Sequence, residues 1–273
     1  MLKAKHGFSF VVAAISVLLL VACGDDDSDF ATRPSEGSSS SSVTQQSSSS
    51  SKVTEPAEVM TGTMTDSRDG QTYKTVSIGT QTWMAQNLNY AYTDVPYKRG
   101  DYTSDSTSWC YNDDANNCSK YGRLYTWAAA MDSVGTWSTN GKGCGYNIYN
   151  KTCSPTYPVR GVCPEGWHLP TGEEFETLFT AVGGKSIAGQ KLRSATGWTP
   201  LSGITNEDAF AFSALPAGRR HNDGDFLNEG ACFWSSTEDD GNLAYYVGLD
   251  YDDDAMYLDF YKFYGFSVRC LKD

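Results

Sequence analysis

One histidine and three glutamates lie close together in residues 166–179, GWHLPTGEEFETLF, within a chain of 273 residues. A histidine beside carboxylates could act in general acid–base catalysis or could bind a metal ion. A zinc site would need a second histidine at a fixed spacing, but His6 and His221 are both far from His168 in the sequence. The segment therefore predicts neither a catalytic residue nor a metal ligand.

The same residues match the rules for the start of a helix. Thr171 and Glu174 form a predicted capping box, in which the threonine hydroxyl accepts from the N–H of Glu174 and the carboxylate reaches back. The apolar residues that follow at the spacing of one helix face are Phe175, Leu178, Phe179 and Val182. Gly183 and Gly184 are expected to end the helix. The glutamates are thus expected to stabilise the positive end of the helix or to be solvated.

Two other charged segments could contact a ligand. Asp250, Asp252, Asp253 and Asp254 could supply calcium oxygens, but the run lacks the glycine and the terminal glutamate of a calcium-binding loop. A solvated hairpin turn is expected there. Residues 219–223, RRHND, carry both charges and are expected to form a surface loop, with ligand contact as the alternative. The sequence predicts no cofactor.

Aromatic residues are concentrated in residues 245–264. Strand alternation would turn about half of them outward, where flat rings with polar tips suit sugar rings and protein partners. The alternative is that tyrosine is frequent there only because it favours strands. The candidate ligand-binding residues are Trp234, Tyr246, Tyr251, Tyr257 and Tyr261.

The eight cysteines are interpreted for an exported protein, in which disulfides persist. Cys23 is assigned to lipid attachment, so seven remain and one of them must stay unpaired or pair between chains. The predicted disulfides are Cys110–Cys118, Cys144–Cys153 and Cys163–Cys270. Cys232 lies in an apolar stretch and is predicted to be a buried free thiol. No Cys-x-x-Cys pair exists, so these cysteines are not expected to bind metal.

Residues 1–22 are predicted to be a lipoprotein signal peptide. Lys3 and Lys5 precede an apolar run at residues 8–22, which is shorter than the about 20 residues of a transmembrane helix. The closing Leu-Val-Ala-Cys resembles a bacterial lipobox, so we expect cleavage before Cys23 and lipid on its thiol. Acyl chains would then hold the protein on a membrane. The alternative is an ordinary signal peptide that leaves Cys23 as a free thiol.

Residues 23–62 are expected to form a disordered tether between the lipid and a folded domain. Residues 24–29 are mostly acidic, and residues 38–42 and 47–51 are all serine. Such stretches bury too little apolar surface to fold. The acidic start resembles lipoprotein export signals of Bacteroidetes-like bacteria, which predicts surface display at the cell outer membrane, with the periplasmic leaflet as the alternative. The net charge of −12 argues against nucleic acid as a partner.

Residues 63–273 form the predicted folded domain, because all tyrosines and tryptophans lie after residue 70. Residues 69–88 predict a β-hairpin. The residues that predict one face of a further helix, with Ser119 as its cap, are Leu124, Trp127, Ala128 and Met131. The segments expected to form strands are 209–220, 231–238, 243–251, 255–261 and 264–271. In the last one, Ser267 and Arg269 are expected to face away from Phe266, Val268 and Cys270. This composition predicts an α+β domain.

Six motifs occur in order: DGQTYKTVSIGTQTWMAQNLNY, YGRLYTWAAAMDS, GVCPEGWHLPTGEEFETL, FSALPAGRR, FWSSTE and GFSVRCLKD. Over nearly all of residues 66–273 they resemble the Fibrobacter succinogenes major paralogous domain. That family resembles the C-type lectin-like fold and sulfatase-modifying-factor-like domains. The resemblance implies small mixed and antiparallel sheets, two helices, long disulfide-stapled loops and termini brought together. The Cys163–Cys270 bridge would match the long-range lectin disulfide.

The chain departs from the functional motifs of these relatives. Calcium-dependent lectins carry Glu-Pro-Asn or Gln-Pro-Asp and then Trp-Asn-Asp, whereas Trp234-Ser235-Ser236 occupies the place of the last motif. The redox-active cysteine pair of formylglycine-generating relatives is also missing, because the late cysteines are Cys232 and Cys270. The resemblance therefore implies neither calcium-dependent sugar binding nor oxidase chemistry.

Together these observations predict a lipid-anchored, surface-displayed binding module without catalytic activity. The first expected ligand is a polysaccharide, such as that of plant cell walls, bound by outward aromatic rings. The alternatives are a protein-interaction or envelope-structural module and, third, an enzyme of the formylglycine-generating type. The expected partners are thus the membrane, through the lipid anchor, and a polysaccharide or envelope protein.

Overall fold

The computed structural model describes residues 59–99, 102–106, 108–146, 149–200, 202–203, 205–227, 230–250 and 254–273. All of them belong to one compact unit, Thr54–Asp273. The predicted signal peptide, the predicted lipid site at Cys23 and the tether up to residue 58 lie outside the described residues. Residues 60–62, at the end of the predicted tether, instead begin the first strand, Met60–Thr65.

Short strands dominate the described part of the chain. In chain order they are β1 (Met60–Thr65), β2 (Thr72–Ile78), β3 (Gln81–Met84), β4 (Thr93–Arg99), β5 (Tyr102–Ser106), β6 (Ser108–Trp109), β7 (Leu124–Tyr125), β8 (Trp167–His168), β9 (Arg219–Arg220), β10 (Phe226–Leu227), β11 (Ala231–Glu238), β12 (Leu243–Leu249), β13 (Ala255–Tyr261) and β14 (Leu271–Lys272). The α-helices are α1 (Ala115–Tyr121), α2 (Trp127–Ala130), α3 (Gly172–Ala181) and α4 (Lys185–Leu192), and a 3-10 helix spans Tyr111–Asp113.

A five-stranded antiparallel sheet joins the beginning and the end of the domain. Its order is β1-β2-β3-β14-β8, and the predicted hairpin at residues 69–88 is confirmed as β2 and β3. Leu271 of β14 pairs with Trp83 on one side and with His168 on the other. The last strand is therefore held between the hairpin and the segment that leads into helix α3.

A three-stranded antiparallel sheet, in the order β11-β12-β13, carries the late aromatic residues. It confirms the strands predicted at residues 231–238 and 255–261 and most of the one at 243–251. Its two faces pack against two apolar clusters. The first core contains Trp234 and Tyr246, whereas the second core contains Val247 and, at its edge, Tyr257. The alternation of side chains along β12 thus places Tyr246 and its neighbour Val247 in different cores.

Helix α3 forms as the capping-box pattern predicts. The N–H of Glu174 donates to Thr171 Oγ1 over 3.2 Å, and the N–H of Thr171 donates to Glu174 Oε2 over 2.8 Å. The face that packs into the second core consists of Phe175, Leu178 and Phe179. Helix α4 follows at once and was not predicted, because KSIAGQKL has no clear apolar face. The described part of the chain therefore contains four α-helices where two were predicted.

The helix predicted at residues 124–131 is largely wrong. Leu124 and Tyr125 form strand β7, and only the turn Trp127–Ala130 is helical, with Thr126 as its cap. Ser119 lies inside α1, which Asp114 caps. Tyr125 pairs with Ser108 and Phe266, so pairing on both sides holds this segment extended. The helical spacing of its apolar residues arises because nearly the whole segment is buried.

Two predicted strands are shorter than expected. In residues 209–220 only Arg219–Arg220 is a strand, since Ala211 and Ser213 have positive φ angles of 53° and 54° that interrupt an extended chain. In residues 264–271, Leu271 begins β14 and the preceding residues form isolated bridges or irregular chain. Ser267 and Arg269 are buried as fully as Phe266, Val268 and Cys270, because both sides of this segment are covered.

The disulfide prediction is confirmed in all three pairs, which are Cys110–Cys118, Cys144–Cys153 and Cys163–Cys270. The last one links residues 107 positions apart and ties the chain before β8 to the chain before β14. Cys232 lies outside these disulfides and is buried on β11. The architecture is a mixed α+β domain with small antiparallel sheets and stapled loops.

Candidate functional site

The structure separates the predicted ligand-binding aromatics into buried and accessible groups. Trp234 is fully buried, and its indole N–H donates to the Tyr125 carbonyl over 2.7 Å. Tyr246, which pairs with Trp234 across β11 and β12, is only 6 % exposed. Both rings point into the first core, so the prediction that they contact a ligand is wrong. Tyr251 lies outside the described residues.

Tyr257 and Tyr261 lie on the edge strand β13 and remain at the surface. Tyr261 is 47 % exposed and stacks on Phe263 with ring centroids 5.1 Å apart. Tyr257 is half-buried and lines a cleft of about 790 Å³ at the start of helix α3. The cleft also brings in Tyr157, a residue that the sequence analysis did not select.

We call this the tyrosine cleft. Two tyrosines, three glutamates and three threonines line it, and the acidic and aromatic ones are Tyr157, Glu173, Glu174, Glu176 and Tyr257. These glutamates are the three that follow His168 in residues 166–179. The structure therefore unites the acidic helix start with one of the late aromatic residues.

Tyr257 is positioned by its neighbours on both sides. Its ring stacks on Tyr245 with centroids 4.8 Å apart and planes 12° apart, and the Tyr245 hydroxyl donates to Asp239 over 2.8 Å. The Tyr257 hydroxyl lies against the backbone at Gly172, where an added Cβ would be 1.8 Å from the phenol oxygen. The Gly172 N–H donates to Thr237 Oγ1 over 3.0 Å. The first residue of α3 must therefore be glycine for this ring position.

Tyr157 forms the other aromatic wall of the cleft. It is 50 % exposed, and its hydroxyl donates to the Ser236 carbonyl over 3.2 Å. It belongs to the loop between α2 and β8, whose composition is rich in Gly, Asn, Ser and Thr. No spacing or repeat in that loop distinguishes Tyr157, which explains why sequence reasoning missed it.

The cleft is electrically negative and its phenols stay protonated. Burial raises the pKa of Tyr257, and the charges of Glu176 and Glu173 raise it further, against hydrogen bonds with Thr237 and Ser235. Burial also raises the pKa of Tyr157. No Lys or Arg side chain is among the lining residues, although Lys185 Nζ lies 3.1 Å from Glu176 Oε1 at the margin. Such a cleft can stack a ring and accept hydrogen bonds from hydroxyls.

His168 does not extend into this cleft as a free base. Its Nδ1 lies 2.7 Å from Asp273 Oδ1, and its Nε2 lies 3.0 Å from Glu174 Oε1. Burial lowers the pKa of His168, but the two carboxylates outweigh this effect and raise it. Burial raises the pKa of Glu174, whereas its contacts with His168 lower it. The net effect is a decrease in the pKa of Glu174. Both ring nitrogens are occupied, so the histidine serves as a bridge between β8, α3 and the chain end.

The remaining candidates contribute to packing. In the loop at residues 219–223, His221 Nε2 lies 2.7 Å from the Tyr264 hydroxyl, and the Arg220 guanidinium lies 4.1 Å from the Trp109 ring centroid. Of the acidic run, only Asp250 and Asp254 are described. The described residues contain no group of three or more His, Cys, Asp or Glu side chains that could hold a metal ion.

The comparison with protein families decides the assignment of the chain. The family model described as the Fibrobacter succinogenes major domain matches residues 76–272. The chain belongs to this family. The match includes the late strands, helix α3 and both walls of the tyrosine cleft. No curated protein and no solved structure matches this chain. Within the described residues, no helix has the length and apolar composition needed to cross a membrane.

Proposed function

We propose that this protein is a lipid-anchored, non-catalytic binding module at the cell outer membrane and that its tyrosine cleft binds polysaccharide. The observation that carries the proposal is the juxtaposition of Tyr157 and Tyr257 with glutamate side chains in one open cleft. A sugar ring presents apolar C–H faces and polar hydroxyls. Rings that stack and carboxylates that accept hydrogen bonds complement both features.

The charge of the cleft indicates which polysaccharides would bind. Glu173 would repel anionic sugars, whereas Lys185 at the margin partly offsets the charge of Glu176. A neutral chain, such as cellulose, xylan or mannan, meets no such repulsion. The volume of about 790 Å³ falls within the range of ligand pockets, roughly 300 to 1,000 Å³. Binding would not require calcium, since Trp234-Ser235-Ser236 offers no carboxylate at the lectin position.

Two features support the absence of catalysis. His168 uses both ring nitrogens in contacts with carboxylates, which leaves no lone pair to accept a proton from a substrate. Cys232 is 3 % exposed and is not among the residues that line the tyrosine cleft. The nucleophile and base of a formylglycine-type enzyme therefore have no evident counterpart in this cleft.

The proposal includes a C-type lectin-like fold and a membrane anchor. The mixed α+β architecture and the Cys163–Cys270 bridge, which ties the end of the domain to its middle, support the lectin-like assignment. The apolar run at residues 8–22 before Cys23 supports lipid attachment, and the acidic residues 24–29 support surface display. In this arrangement the serine-rich tether gives the domain reach beyond the membrane.

One observation favours protein binding as a second candidate function. Strand β13 is an edge of its sheet, and it exposes Leu258 (43 %) and Tyr261 (47 %). An edge strand with apolar side chains can pair with a strand of another protein. The tyrosine cleft and the β13 edge are separable by mutation, because Tyr261 does not line the cleft.

The test is a pull-down of the purified, oxidised protein with insoluble cellulose, xylan and mannan, with and without EDTA. We expect retention on at least one polysaccharide that survives EDTA and falls in Tyr157→Ala and Tyr257→Ala. Tyr149→Ala is the matched control, because Tyr149 is 85 % exposed and outside the cleft lining. Retention on none of the three would reject the polysaccharide and favour a protein partner.

A further inference from the structure

A second cleft, of about 540 Å³, lies beside the β2–β3 hairpin and helix α1. Its charge is opposite to that of the tyrosine cleft. Three basic residues, Lys74, Lys120 and Arg269, line it, and Asp208 is the one acidic residue among the lining side chains. We call it the basic cleft. A concave surface with excess positive charge is unexpected in a chain whose net charge is −12.

Arg269 lies at the floor of this cleft and is 1 % exposed. Its guanidinium donates to Asn87 Oδ1 over 2.7 Å and to the Ser213 carbonyl over 2.9 Å. It also donates to the Met84 and Phe212 carbonyls. The Phe212 ring centroid is 4.6 Å from the guanidinium carbon. Every one of these partners is neutral.

The buried guanidinium therefore has no carboxylate ion-pair partner among the described residues. Asp208 is the nearby acid, but its carboxylate accepts from the Ser213 N–H over 2.7 Å and from the Ser213 hydroxyl over 2.6 Å. Burial lowers the pKa of Arg269 to about 9, and the charge of Asp208 opposes this effect. Arg269 thus remains charged at neutral pH. Buried charges are usually paired, so an anion in the cleft would supply the missing counter-charge.

The rest of the lining indicates what else the anion carries. Gln86 contributes an exposed side-chain amide, and Ser119 and Thr196 contribute exposed hydroxyls. Amides and hydroxyls both donate and accept, which suits the hydroxyls of a sugar.

We propose that the basic cleft is a binding site for a uronate saccharide, whose carboxylate is held by the field of Arg269, Lys74 and Lys120 and whose hydroxyls meet the exposed polar side chains of the lining. The site is distinct from the tyrosine cleft, and its occupancy does not depend on the proposed function. Together the two clefts would let one domain contact neutral and acidic sugars at separate positions.

The test is isothermal titration of the purified, oxidised protein at low ionic strength with digalacturonate. Cellobiose serves as the neutral comparison and inorganic phosphate as the anion without a sugar. We expect digalacturonate to bind more tightly than either, and less tightly as salt is added. Lys74→Gln and Lys120→Gln, both at exposed residues, are each expected to weaken binding about two- to fivefold. Arg269 itself is left intact, because its loss would leave buried carbonyls without donors.

Two controls make the result specific. Lys142→Gln removes an exposed lysine outside the basic cleft and is expected to leave binding unchanged. Tyr257→Ala is also expected to leave digalacturonate binding unchanged, so that failure at one cleft is not confused with failure at the other. No binding of digalacturonate, equal binding of phosphate, or equal affinities in the two cleft-lysine variants and Lys142→Gln would overturn the proposal.

Discussion

At the scale of single residues, the tyrosine cleft depends on the contact between the Tyr257 hydroxyl and Gly172, which has no side chain. Gly172 begins helix α3, and the Tyr257 hydroxyl occupies the space where a Cβ would be. Alanine is a better helix former than glycine, so the helix itself would tolerate the change. The glycine is therefore explained by the position of the tyrosine ring rather than by the helix.

The substitution Gly172→Ala tests this contact. The added Cβ, 1.8 Å from the phenol oxygen, must displace the Tyr257 ring. We expect polysaccharide affinity to fall about tenfold, or about 1.4 kcal/mol, while the unfolding transition stays cooperative. Binding isotherms and circular dichroism measure the two effects. Gly143→Ala is not a suitable control because of its positive φ. Gly248→Ala in β12 is suitable, because its φ is not positive and the nearest atom to an added Cβ is 3.5 Å away, an ordinary contact. Unchanged affinity in Gly172→Ala would contradict the role given to Tyr257.

His168 gives a residue-scale prediction about pH. Its pKa is raised above the ordinary 6.5 in the folded protein, so its stabilisation is fully present below pH 6.5 and is lost as the pH rises through the folded pKa. The pKa of Glu174 is lowered from 4.5, so its stabilisation is present above pH 4.5 and is lost as the pH falls through the folded pKa. The bridge is therefore strongest between about pH 4.5 and 6.5.

We expect His168→Gln to lower the free energy of unfolding more at pH 6 than at pH 9. At pH 6 the wild-type histidine is charged between two carboxylates, whereas at pH 9 that advantage has gone. Urea unfolding of both proteins at the two pH values measures the difference. The same loss of stability at pH 6 and pH 9 would show that the bridge is not charged in the way described here.

At the scale of elements, the sequence predicts best where one pattern has one interpretation. Helix α3 has both a capping box and an apolar face, and strands β11 and β13 are bounded by turn residues. The helix prediction for residues 124–131 was largely wrong because nearly all of these residues are buried, so that apolar residues occur at helical spacing by chance. Helix α4 was not predicted for the opposite reason, since its sequence shows little apolar periodicity.

The tyrosine cleft could be predicted only in part. Glu174 and Tyr257 were selected by the capping pattern and by aromatic content. Tyr157 and Gly172 became significant only once the fold placed them against Thr237 and Tyr257. These contacts join residues far apart in sequence, and no local spacing records them. The buried cation at the floor of the basic cleft was likewise not predictable, because strand alternation places Arg269 opposite the apolar residues but does not show that this side is also covered.

The disulfides provide a prediction at the element scale. Cys163–Cys270 closes a span of 107 residues, whereas Cys110–Cys118 closes one of 8. The chain-entropy argument gives about 5 kcal/mol for the long span and about 2 to 3 kcal/mol for the short one. Urea unfolding of the Cys163→Ala/Cys270→Ala variant is expected to show the larger loss. Equal losses in the two double variants would mean that the long bridge adds no more stability than the short one.

At the scale of the whole molecule, we propose a membrane anchor, a tether and a domain with two oppositely charged clefts. The anchor and the tether are predictions from residues 1–62, while the clefts are features of the described domain. A flexible tether would allow either cleft to meet an extended polymer without a fixed orientation. Weak contacts at two sites on the same polymer would then add through effective concentration.

The thiol content of the mature protein tests the anchor and Cys232 together. We expect no thiol to react under native conditions and one to react after denaturation without reductant, because Cys232 is buried and Cys23 is proposed to carry lipid. Labelling followed by intact mass measurement gives both numbers. A second reactive thiol, at Cys23, would indicate an ordinary signal peptide. No reactive thiol at all would place Cys232 in an intermolecular disulfide.

The most direct test of the central claim compares Tyr157→Phe with Tyr157→Ala in binding to the polysaccharide retained best by the wild type. The phenylalanine keeps the ring and loses only the hydroxyl that donates to Ser236, whereas the alanine removes the ring. If the cleft binds sugar by stacking, Tyr157→Phe keeps most of the affinity and Tyr157→Ala loses about tenfold. Wild-type affinity in Tyr157→Ala would contradict the assignment of the tyrosine cleft as the polysaccharide site.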